Sequence, residues 1–344
     1  MSAADRSVRF LYLTQEEVIA CGGLDMEQTL AAVEKVFRLL DEGECIEPQA
    51  PIIHWNGIHR RRISMHPAYI GGDVQVAGIK WIPSNPENPI KRNMPRSNAL
   101  TILSDPETGF PLAVMDGTAI SAMRTGAVVG VGARYLARED ARVAGLIGAG
   151  VIQRTQLMAL HAVLPSLERV QLYDMAPDKA RAFAEEMGAQ LGLDIEPVDS
   201  ARAAVEGADV VAPATNVGPE DRYIRPEWIK EGAYLANVSV NDYTIAAVQA
   251  CDRVVVDNRK QLTVPTAILT DMVEEGLIRP EEITELGAII TGREPGRRSP
   301  RERIFFSPLG MGIEDLINAH RVYLEARRRG IGRELELWHE PVWT

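Results

Sequence analysis

Six basic side chains within residues 62–124 are candidates for binding a small molecule that carries several carboxylates. They are Arg62, Lys80, Lys91, Arg92, Arg96 and Arg124. They stand out because the chain is acidic, with 37 Lys and Arg against 48 Asp and Glu and a net charge of −11. A guanidinium can bond both oxygens of a carboxylate, so arginine suits this role. The alternative interpretation is that these cations are solvated and pair with the excess acids.

Asp242 is a candidate catalytic base. It follows the apolar run 234–240, which has the composition of a strand, and parallel sheets place their sites beyond the carboxyl ends of strands. A carboxylate in that place can orient and deprotonate a water molecule. The alternative is that Asp242 caps a helix predicted over 243–250, which is a frequent role for aspartate.

The stretch 143–153, VAGLIGAGVIQ, has the pattern of a strand, a tight glycine turn and a helix. Gly148 allows the turn, Gly150 lets backbone N–H groups approach a pyrophosphate, and the helix N-terminus supplies partial positive charge. A second apolar run ends at Asp174, where a ribose-binding carboxylate is expected. Gln153 replaces the usual third glycine. The pattern predicts NAD as the cofactor, because no arginine immediately follows Asp174 to receive the 2′-phosphate of NADP.

Strand-like and helix-like segments alternate from residue 143 to 257, which predicts an α/β fold with a Rossmann-type, doubly wound parallel sheet. The preceding part has short apolar runs joined by turns, as in an antiparallel sheet, at 51–55, 62–65, 74–81 and 99–103. The last helical segment, 314–328, is expected to pack back on this first part. We therefore predict an α+β domain over residues 1–120 with 312–344, and a dinucleotide-binding domain over residues 121–311.

Arg124 would lie near the N-terminus of a helix predicted over 121–136. The helix dipole disfavours a cation in that position. A bound anion would remove the conflict, so we expect Arg124 to face one.

Composition argues against several classes of function. The acidic net charge disfavours nucleic acid as a partner. The sequence has no apolar run long enough to span a membrane and no leader-like N-terminus, so we expect a cytoplasmic protein without membrane partners. The three cysteines are far apart, and His54, His59 and His66 lack a Cys or carboxylate at ligand spacing, so no metal site is expected.

Five motifs, in order along nearly the whole chain, resemble the ornithine cyclodeaminase/μ-crystallin family. They are GIKW at 78–81, SAMRTGA at 121–127, GAG at 148–150, NVSVND at 237–242 and PLGMGIED at 308–315. Within that family the finer resemblance is to NAD-dependent enzymes of siderophore pathways that form 2,3-diaminopropionate. That match rests on residues 11–13, 88–96, 104–108 and 285–292, whereas Asp116-Gly117 follows the family at large.

The resemblance implies roles for particular residues. It implies Lys80 and Asp242 as catalytic residues and Arg62 and Arg124 as anchors for substrate carboxylates, to which the cation count adds Arg92 and Arg96. We also expect Gly310 and Gly312 to let the backbone approach the nicotinamide, and Asp315 to cap the last helix. The expected cofactor contacts are Thr125, Gly148, Gly150, Val151, Ile152, Asp174, Gly310 and Met311.

The resemblance implies NAD-dependent oxidation of a secondary amine flanked by carboxylates, with hydrolysis of the imine to 2,3-diaminopropionate and 2-oxoglutarate. It further implies a homodimer built through the first domain. Three alternatives remain open from sequence: an ornithine cyclodeaminase, an imine reductase of the alanine dehydrogenase type, and a dinucleotide-carrying binding protein without turnover. Lys80 and Asp242 argue against the last of these. The sequence does not separate a Lys80 that polarises water from one that holds a substrate carboxylate.

Overall fold

The computed structural model describes residues 6–55 and 61–343. His59, one of the three histidines considered for a metal, lies outside the described residues. The chain divides into two compact units. The first runs up to Arg124 and resumes at Met311, and the second is Thr125–Gly310.

The strands of the described residues follow one another in this order: β1 (Val8–Leu13), β2 (Cys45–Ile46), β3 (Ile52–His54), β4 (Arg62–Ile70), β5 (Val76–Ser84), β6 (Leu100–Ser104), β7 (Pro111–Asp116), β8 (Val143–Ile147), β9 (Arg169–Tyr173), β10 (Asp194–Pro197), β11 (Val210–Pro213), β12 (Tyr234–Ala236), β13 (Arg253–Val256), β14 (Thr284–Glu285), β15 (Ile304–Ser307) and β16 (Arg333–Trp338).

The α-helices of the same residues are α1 (Gln15–Val18), α2 (Met26–Asp41), α3 (Asn88–Lys91), α4 (Thr118–Leu136), α5 (Val151–Val163), α6 (Pro177–Leu191), α7 (Ala201–Val205), α8 (Ile245–Gln249), α9 (Ile268–Glu274), α10 (Leu286–Ile290) and α11 (Gly312–Arg329). A π-helical turn covers Ile19–Gly23, and 3-10 turns cover Pro219–Asp221, Pro226–Trp228, Arg259–Gln261 and Pro280–Glu282.

The first unit is an α+β structure with a mainly antiparallel sheet. The strand order is β16-β1-β7-β6-β5-β4-β2, with β3 also paired to β4, and only β1 and β7 run parallel. Helix α11 packs against α2 and against the middle strands β4, β5 and β6. Apolar side chains that alternate with the helix-covered positions stay partly exposed, including Tyr12 (38%), Trp81 (37%) and Leu100 (39%).

The second unit is a Rossmann-type sheet with the order β10-β9-β8-β11-β12-β15-β13-β14, and all of its strands are parallel. The predicted α/β, doubly wound fold is confirmed. Its core packs the buried ring of Tyr243 edge-on against Phe305, with ring centroids 5.2 Å apart. Because the strands are parallel, the loops that follow β8, β9, β11, β12, β13 and β15 all leave from one edge of the sheet. We call this edge the carboxyl edge.

Some elements differ from the prediction. Strand β15 was not predicted, because all four of its residues are buried and the alternation that marks a half-buried strand is missing. Strand β16 was also missed, although it pairs with β1. The helix expected over 243–250 is only the five-residue α8, which begins at Ile245.

Candidate active site

The glycine loop after β8 leaves an open helix N-terminus at the carboxyl edge. Gly148 has φ +95°, and a Cβ there would lie 2.7 Å from the carbonyl oxygen of Ala214, so the turn requires glycine. Gly150 is the N-cap of α5 and brings no side-chain hydrogen bond, and a Cβ on it would meet no atom within 4 Å. Val151 is exposed and Ile152 half-buried. Open N–H groups and open space at a helix N-terminus fit a pyrophosphate.

The helices beside this loop are fixed by close packing. Gln153, in the place of the third glycine, is fully buried, and its Nε2 donates to the carbonyl of Ala212 over 3.1 Å. Thr125 is half-buried on α4, next to Gly126, whose Cβ would come within 2.3 Å of the backbone of Thr155. Only glycine allows α4 and α5 to approach this closely.

Asp174 lies just beyond β9, as predicted, and both of its carboxylate oxygens accept backbone bonds. Oδ2 accepts from the N–H of Ala149 and Oδ1 from the N–H of Ala176, each over 2.8 Å. The carboxylate therefore ties the glycine loop to the end of the neighbouring strand. A half-buried carboxylate at this position fits a ribose hydroxyl pair, since each oxygen has a second lone pair.

Asp242 is fully buried and receives three hydroxyl groups. Thr215 and Tyr223 donate to its Oδ1, the latter over 2.9 Å, and Ser239 donates to its Oδ2. Burial raises the pKa of Asp242, and the three donors oppose that increase. A carboxylate whose pKa is raised by burial is a stronger base than an exposed one and is suited to accept a proton.

The interpretation of Asp242 as a helix cap is wrong. The N-cap of α8 is Thr244, whose hydroxyl accepts from the N–H of Ala247. Between Ser239 and Asp242 the backbone of Val240 has φ +69°, which is strained for a β-branched residue. The segment thus holds a strained conformation that brings Ser239 and Asp242 into contact, which is typical of functional loops.

Lys80, in the first unit, is fully buried on β5 and paired with a carboxylate of α11. Its Nζ lies 2.6 Å from Oδ2 of Asp315, and it donates to the hydroxyl of Ser121 over 3.4 Å. Burial, and then the charge of Arg124, lower the pKa of Lys80 to about 8, although Asp315 opposes the change. The ammonium is therefore close to its titration point at neutral pH.

Arg124 is also paired within its own unit. Its guanidinium forms an ion pair with Glu314, and its Nε lies 3.3 Å from Oδ2 of Asp315. Helix α4 begins at Thr118, so Arg124 lies in the second turn and faces carboxylates of the chain. Protein carboxylates therefore already balance its charge, and the bound anion expected at this residue stays a prediction.

The prediction that Asp315 caps the last helix is wrong as well. The N-cap of α11 is Met311, which is buried, and the first N–H groups of that helix are bound by a side chain from a distant segment. Glu47 accepts from Gly312 over 2.9 Å and from Ile313 over 3.0 Å. Asp315 lies one turn further on, where it accepts the charges of Lys80 and Arg124. Burial opposes its ionisation, but Arg124 and Lys80 lower its pKa overall.

His66 faces Lys80 across the β4–β5 pairing. Burial, followed by the charge of Lys80, lowers its pKa to about 3, so the imidazole is neutral at physiological pH. Within the described ranges no group of three or more His, Cys, Asp or Glu side chains is arranged to hold a metal.

Arg62 and Arg96 come together around Ser84 at the end of β5. Arg62 is the strand partner of Ser84, and Nε of Arg96 donates to the Ser84 hydroxyl over 3.4 Å. Arg62 is exposed and has no ion pair with any residue that the structure describes. Ser84 lies four residues beyond Lys80 on the same face of β5, a spacing of about 13 Å along the strand. The first unit therefore has two cationic groups on one sheet face. One is Lys80 with Arg124, whose charges are neutralised by carboxylates, and the other is Arg62 with Arg96.

The remaining predicted cations, Arg92 and Lys91, are exposed side chains. Arg92 is exposed and bonds only weakly to Asn88, over 3.4 Å. Lys91 is exposed and paired with Glu87 over 2.8 Å, in agreement with a solvated surface charge.

Sequence reasoning missed the side chains that complete both clusters. Thr215 and Tyr223 lie outside the motifs, and Ser239 lies inside NVSVND without a role assigned to it; the three hydroxyls are recognised by their distance from Asp242. The acidic pair Glu314 and Asp315 was visible in the sequence, but its burial was not. Neither carboxylate is exposed at all. Because a buried acid requires a partner, knowledge of this burial would have indicated a cation close to Glu314 and Asp315.

The chain is similar to known proteins over nearly its whole length. A family model described as the ornithine cyclodeaminase/mu-crystallin family matches residues 12–330. The N-((2S)-2-amino-2-carboxyethyl)-L-glutamate dehydrogenase of Staphylococcus aureus is 33% identical over 333 residues, which cover 95% of this chain and 98% of the relative.

Two solved structures have similar folds. The Thermococcus litoralis Δ1-pyrroline-2-carboxylate reductase, in complex with NADH and L-proline, superposes with a TM-score of 0.87 at 35% identity, over 94% of this chain and 99% of the other. An archaeal alanine dehydrogenase dimer with bound NAD also has a TM-score of 0.87, at 30% identity, over 96% of this chain and 100% of the other. No helix in the part of the chain that the structure describes is long and apolar enough to cross a membrane.

Proposed function

The chain belongs to the ornithine cyclodeaminase/mu-crystallin family, and on that premise we propose that it oxidises N-(2-amino-2-carboxyethyl)-L-glutamate at a C–N bond. It is an NAD-dependent oxidoreductase of that family. In the proposed reaction, the products are 2,3-diaminopropionate, 2-oxoglutarate and NADH. The observation that carries this proposal is the pair of cationic groups on one face of the first unit, combined with the near full-length similarity to the staphylococcal enzyme.

The spacing of the cations suits an elongated substrate with carboxylates at both ends. Lys80 and Arg124 form one anchor, and Arg62 with Arg96 forms the other, about 13 Å further along the strand. Arg62 has no ion pair among the described residues, so its charge remains available for a substrate carboxylate. Such a charge-assisted bond contributes about 1.5–3 kcal/mol. The proposed substrate brings three carboxylates, and alanine brings one.

The reaction has an oxidative half and a hydrolytic half. Bound NAD would supply the hydride acceptor for the C–H next to the secondary amine, and loss of that hydride would leave an iminium on the substrate. Asp242 then takes a proton from the water that adds to the C=N bond. The carbinolamine collapses, the C–N bond breaks, and the nitrogen leaves with the diaminopropionate. Asp315 and Glu314 fix the positions of Lys80 and Arg124, and these two cations would orient one substrate carboxylate during both halves.

The residues proposed to hold the cofactor are those at the carboxyl edge of the second unit. The open N-terminus of α5 at Gly150 would bind the pyrophosphate, and Asp174 the adenosine ribose. Gly148, Thr125, Val151 and Ile152 would line the same stretch. Gly310 and Met311 would lie at the nicotinamide end.

A homodimer is part of the proposal. The partly exposed apolar side chains on the sheet of the first unit, such as Trp81 and Leu100, give a second copy an apolar surface to cover. The alanine dehydrogenase with the same fold is described as a dimer.

An ornithine cyclodeaminase is the second candidate, and one observation favours it. Lys80 and Arg124 are neutralised by Asp315 and Glu314, so the second ammonium of ornithine meets less repulsion than the cation count suggested. In that reaction the hydride returns to the ring imine, and no NADH accumulates.

Product analysis separates these candidates. Enzyme and NAD are mixed with the tri-acid, with L-ornithine or with L-alanine, while the nicotinamide absorbance is followed and the products are identified by mass. The proposal expects one NADH and one 2-oxoglutarate per tri-acid consumed. Proline and ammonia from ornithine, with no net NADH and no reaction of the tri-acid, would refute it.

Matched variants test the anchors in the same assay. Arg62→Gln should raise KM for the tri-acid by about tenfold or more, the equivalent of one charge-assisted bond. Lys91→Gln should leave KM unchanged, because Lys91 is exposed and paired with Glu87. An equal effect of both substitutions would mean that only general charge matters.

A further inference from the structure

Asp257 binds the backbone of a distant loop at the carboxyl edge. It follows β13 directly and is 1% exposed. Its Oδ2 accepts from the N–H of Leu309 over 2.7 Å and from that of Gly310 over 2.8 Å. Its Oδ1 accepts from Asn258 over 2.8 Å. Both oxygens are therefore engaged by backbone donors.

The carboxylate state of Asp257 depends on these donors. Burial raises its pKa to about 6, and the N–H groups of Gly310, Asn258 and Leu309 oppose the increase. A proton on Oδ2 would displace one of its two N–H groups, because that oxygen has two lone pairs and both are occupied. At neutral pH the ionised side chain and the loop thus stabilise each other.

The clamp fixes the direction of two peptide planes. A trans peptide points its N–H and the preceding C=O in opposite directions. Because the N–H groups of Leu309 and Gly310 point at Asp257, the carbonyls of Pro308 and Leu309 point away from it. Gly310 has φ +87°, a conformation that glycine adopts without strain, so the loop can hold this arrangement.

The loop lies away from the pyrophosphate end of the sheet. It follows β15, which is three strands from β8 in the sheet order. At about 4.8 Å per strand, the distance is about 14 Å along the same edge. A dinucleotide that starts at β9 and crosses the end of β8 extends in this direction.

We propose that Asp257 is a positioning residue that presents the carbonyls of Pro308 and Leu309 to the carboxamide of the nicotinamide ring. A primary carboxamide carries two N–H donors, and two fixed carbonyls are matching acceptors. Asp257 does not touch the cofactor itself. The inference rests on NAD(H) being the cofactor in the proposed function, and it adds the residue that selects the nicotinamide group.

The test compares NADH with the reduced 3-acetylpyridine analogue, whose methyl ketone lacks both N–H donors. Dissociation constants are measured by nucleotide fluorescence without substrate. The wild-type protein should bind NADH about tenfold more tightly than the analogue, the value of one or two hydrogen bonds. Asp257→Ala should reduce that ratio to near one, and hydrogen exchange of the Leu309 and Gly310 amides should become faster.

Asp209 provides a matched control. It also accepts two backbone N–H groups with one oxygen, from Arg142 over 2.9 Å and Val143 over 3.0 Å, and it is 6% exposed. Those residues lie at the start of β8, at the opposite edge of the sheet. Asp209→Ala should therefore keep the NADH-to-analogue ratio of the wild-type protein.

Asp257→Asn keeps the test decisive if the alanine variant does not fold. Its amide oxygen can still accept from Leu309 and Gly310, but its NH₂ group opposes the N–H of Asn258, so the ratio should fall partway. An unchanged ratio in either variant, or no preference in the wild-type protein, overturns the inference. A wild-type protein that binds neither nucleotide refutes the cofactor assignment itself.

Discussion

The ion pair of Lys80 and Asp315 gives the sharpest prediction about stability and pH. Both side chains are buried, at 1% and 0% exposure, with Nζ and Oδ2 2.6 Å apart. Asp315→Asn keeps the shape of the side chain and removes the charge. The ammonium of Lys80 is then left without its nearest counter-charge in a place where water does not solvate it.

The expected loss can be bounded from the pKa of Lys80. Removing one partner of a buried pair costs about 3–5 kcal/mol when the other charge remains. Lys80 can instead lose its proton. Since its pKa is about 8, neutralising it at pH 7 costs about 1.4 kcal/mol. Adding about 1.5–3 kcal/mol for the lost hydrogen bond to a charged group, we expect the free energy of unfolding to fall by about 3–4 kcal/mol at pH 7.

The sign of the pH dependence follows from the same residue. Without Asp315, which favours the ammonium, the pKa of Lys80 should fall further below 8. At pH 9 Lys80 is already mostly neutral in the wild-type protein, so the loss of Asp315 should cost less than at pH 6. Any limb of the pH–rate profile that reports Lys80 should also move to lower pH.

Urea denaturation of both proteins at pH 6 and pH 9 measures these differences. Asp73→Asn is the control, because Lys35 and Asp73 form the same type of pair over 2.7 Å with side chains 43% and 71% exposed. Exposed pairs contribute little, so its denaturation midpoint should not shift measurably. If Asp315→Asn is as stable as the wild-type protein, or if its loss is larger at pH 9 than at pH 6, the reasoning fails.

Three further substitutions test the second unit. Asp242→Asn should keep the fold and lower turnover at least about 10²-fold, the typical contribution of a general base. Thr244→Ala should instead cost about 1 kcal/mol of stability through the lost helix cap and leave turnover unchanged. Steady-state rates and thermal denaturation distinguish the two variants, and normal turnover of Asp242→Asn would show that Asp242 takes no part in the chemistry. Asp174→Ala should weaken NAD binding by about 1–3 kcal/mol, because the ribose hydroxyls lose their acceptor. If the wild-type protein bound NADP more tightly than NAD in the same titration, Asp174 would not be the ribose acceptor.

The sequence determined the features that depend on neighbouring residues. The glycine turn at Gly148, the open helix start at Gly150 and the carboxylate at Asp174 follow from one continuous strand–turn–helix–strand pattern, and the structure has all three in the predicted places. The parallel sheet followed from the alternation of strand and helix. These signals are local because periodicity and turn conformation depend on residues a few positions apart.

Tertiary structure alone decided which charges neutralise each other. Lys80 and Asp315 are 235 residues apart in the chain, and they meet because α11 packs on β5. Two of the hydroxyls around Asp242, those of Thr215 and Tyr223, come from the connection between β11 and β12, and Asp257 reaches its partners Leu309 and Gly310 only because β13 and β15 are adjacent. The residue types indicated polar chemistry, but strand register and helix packing determined which side chains pair. The sequence can show that a cation is available as a substrate anchor. Only the fold shows whether a buried carboxylate neutralises that cation and so weakens its attraction for a substrate carboxylate.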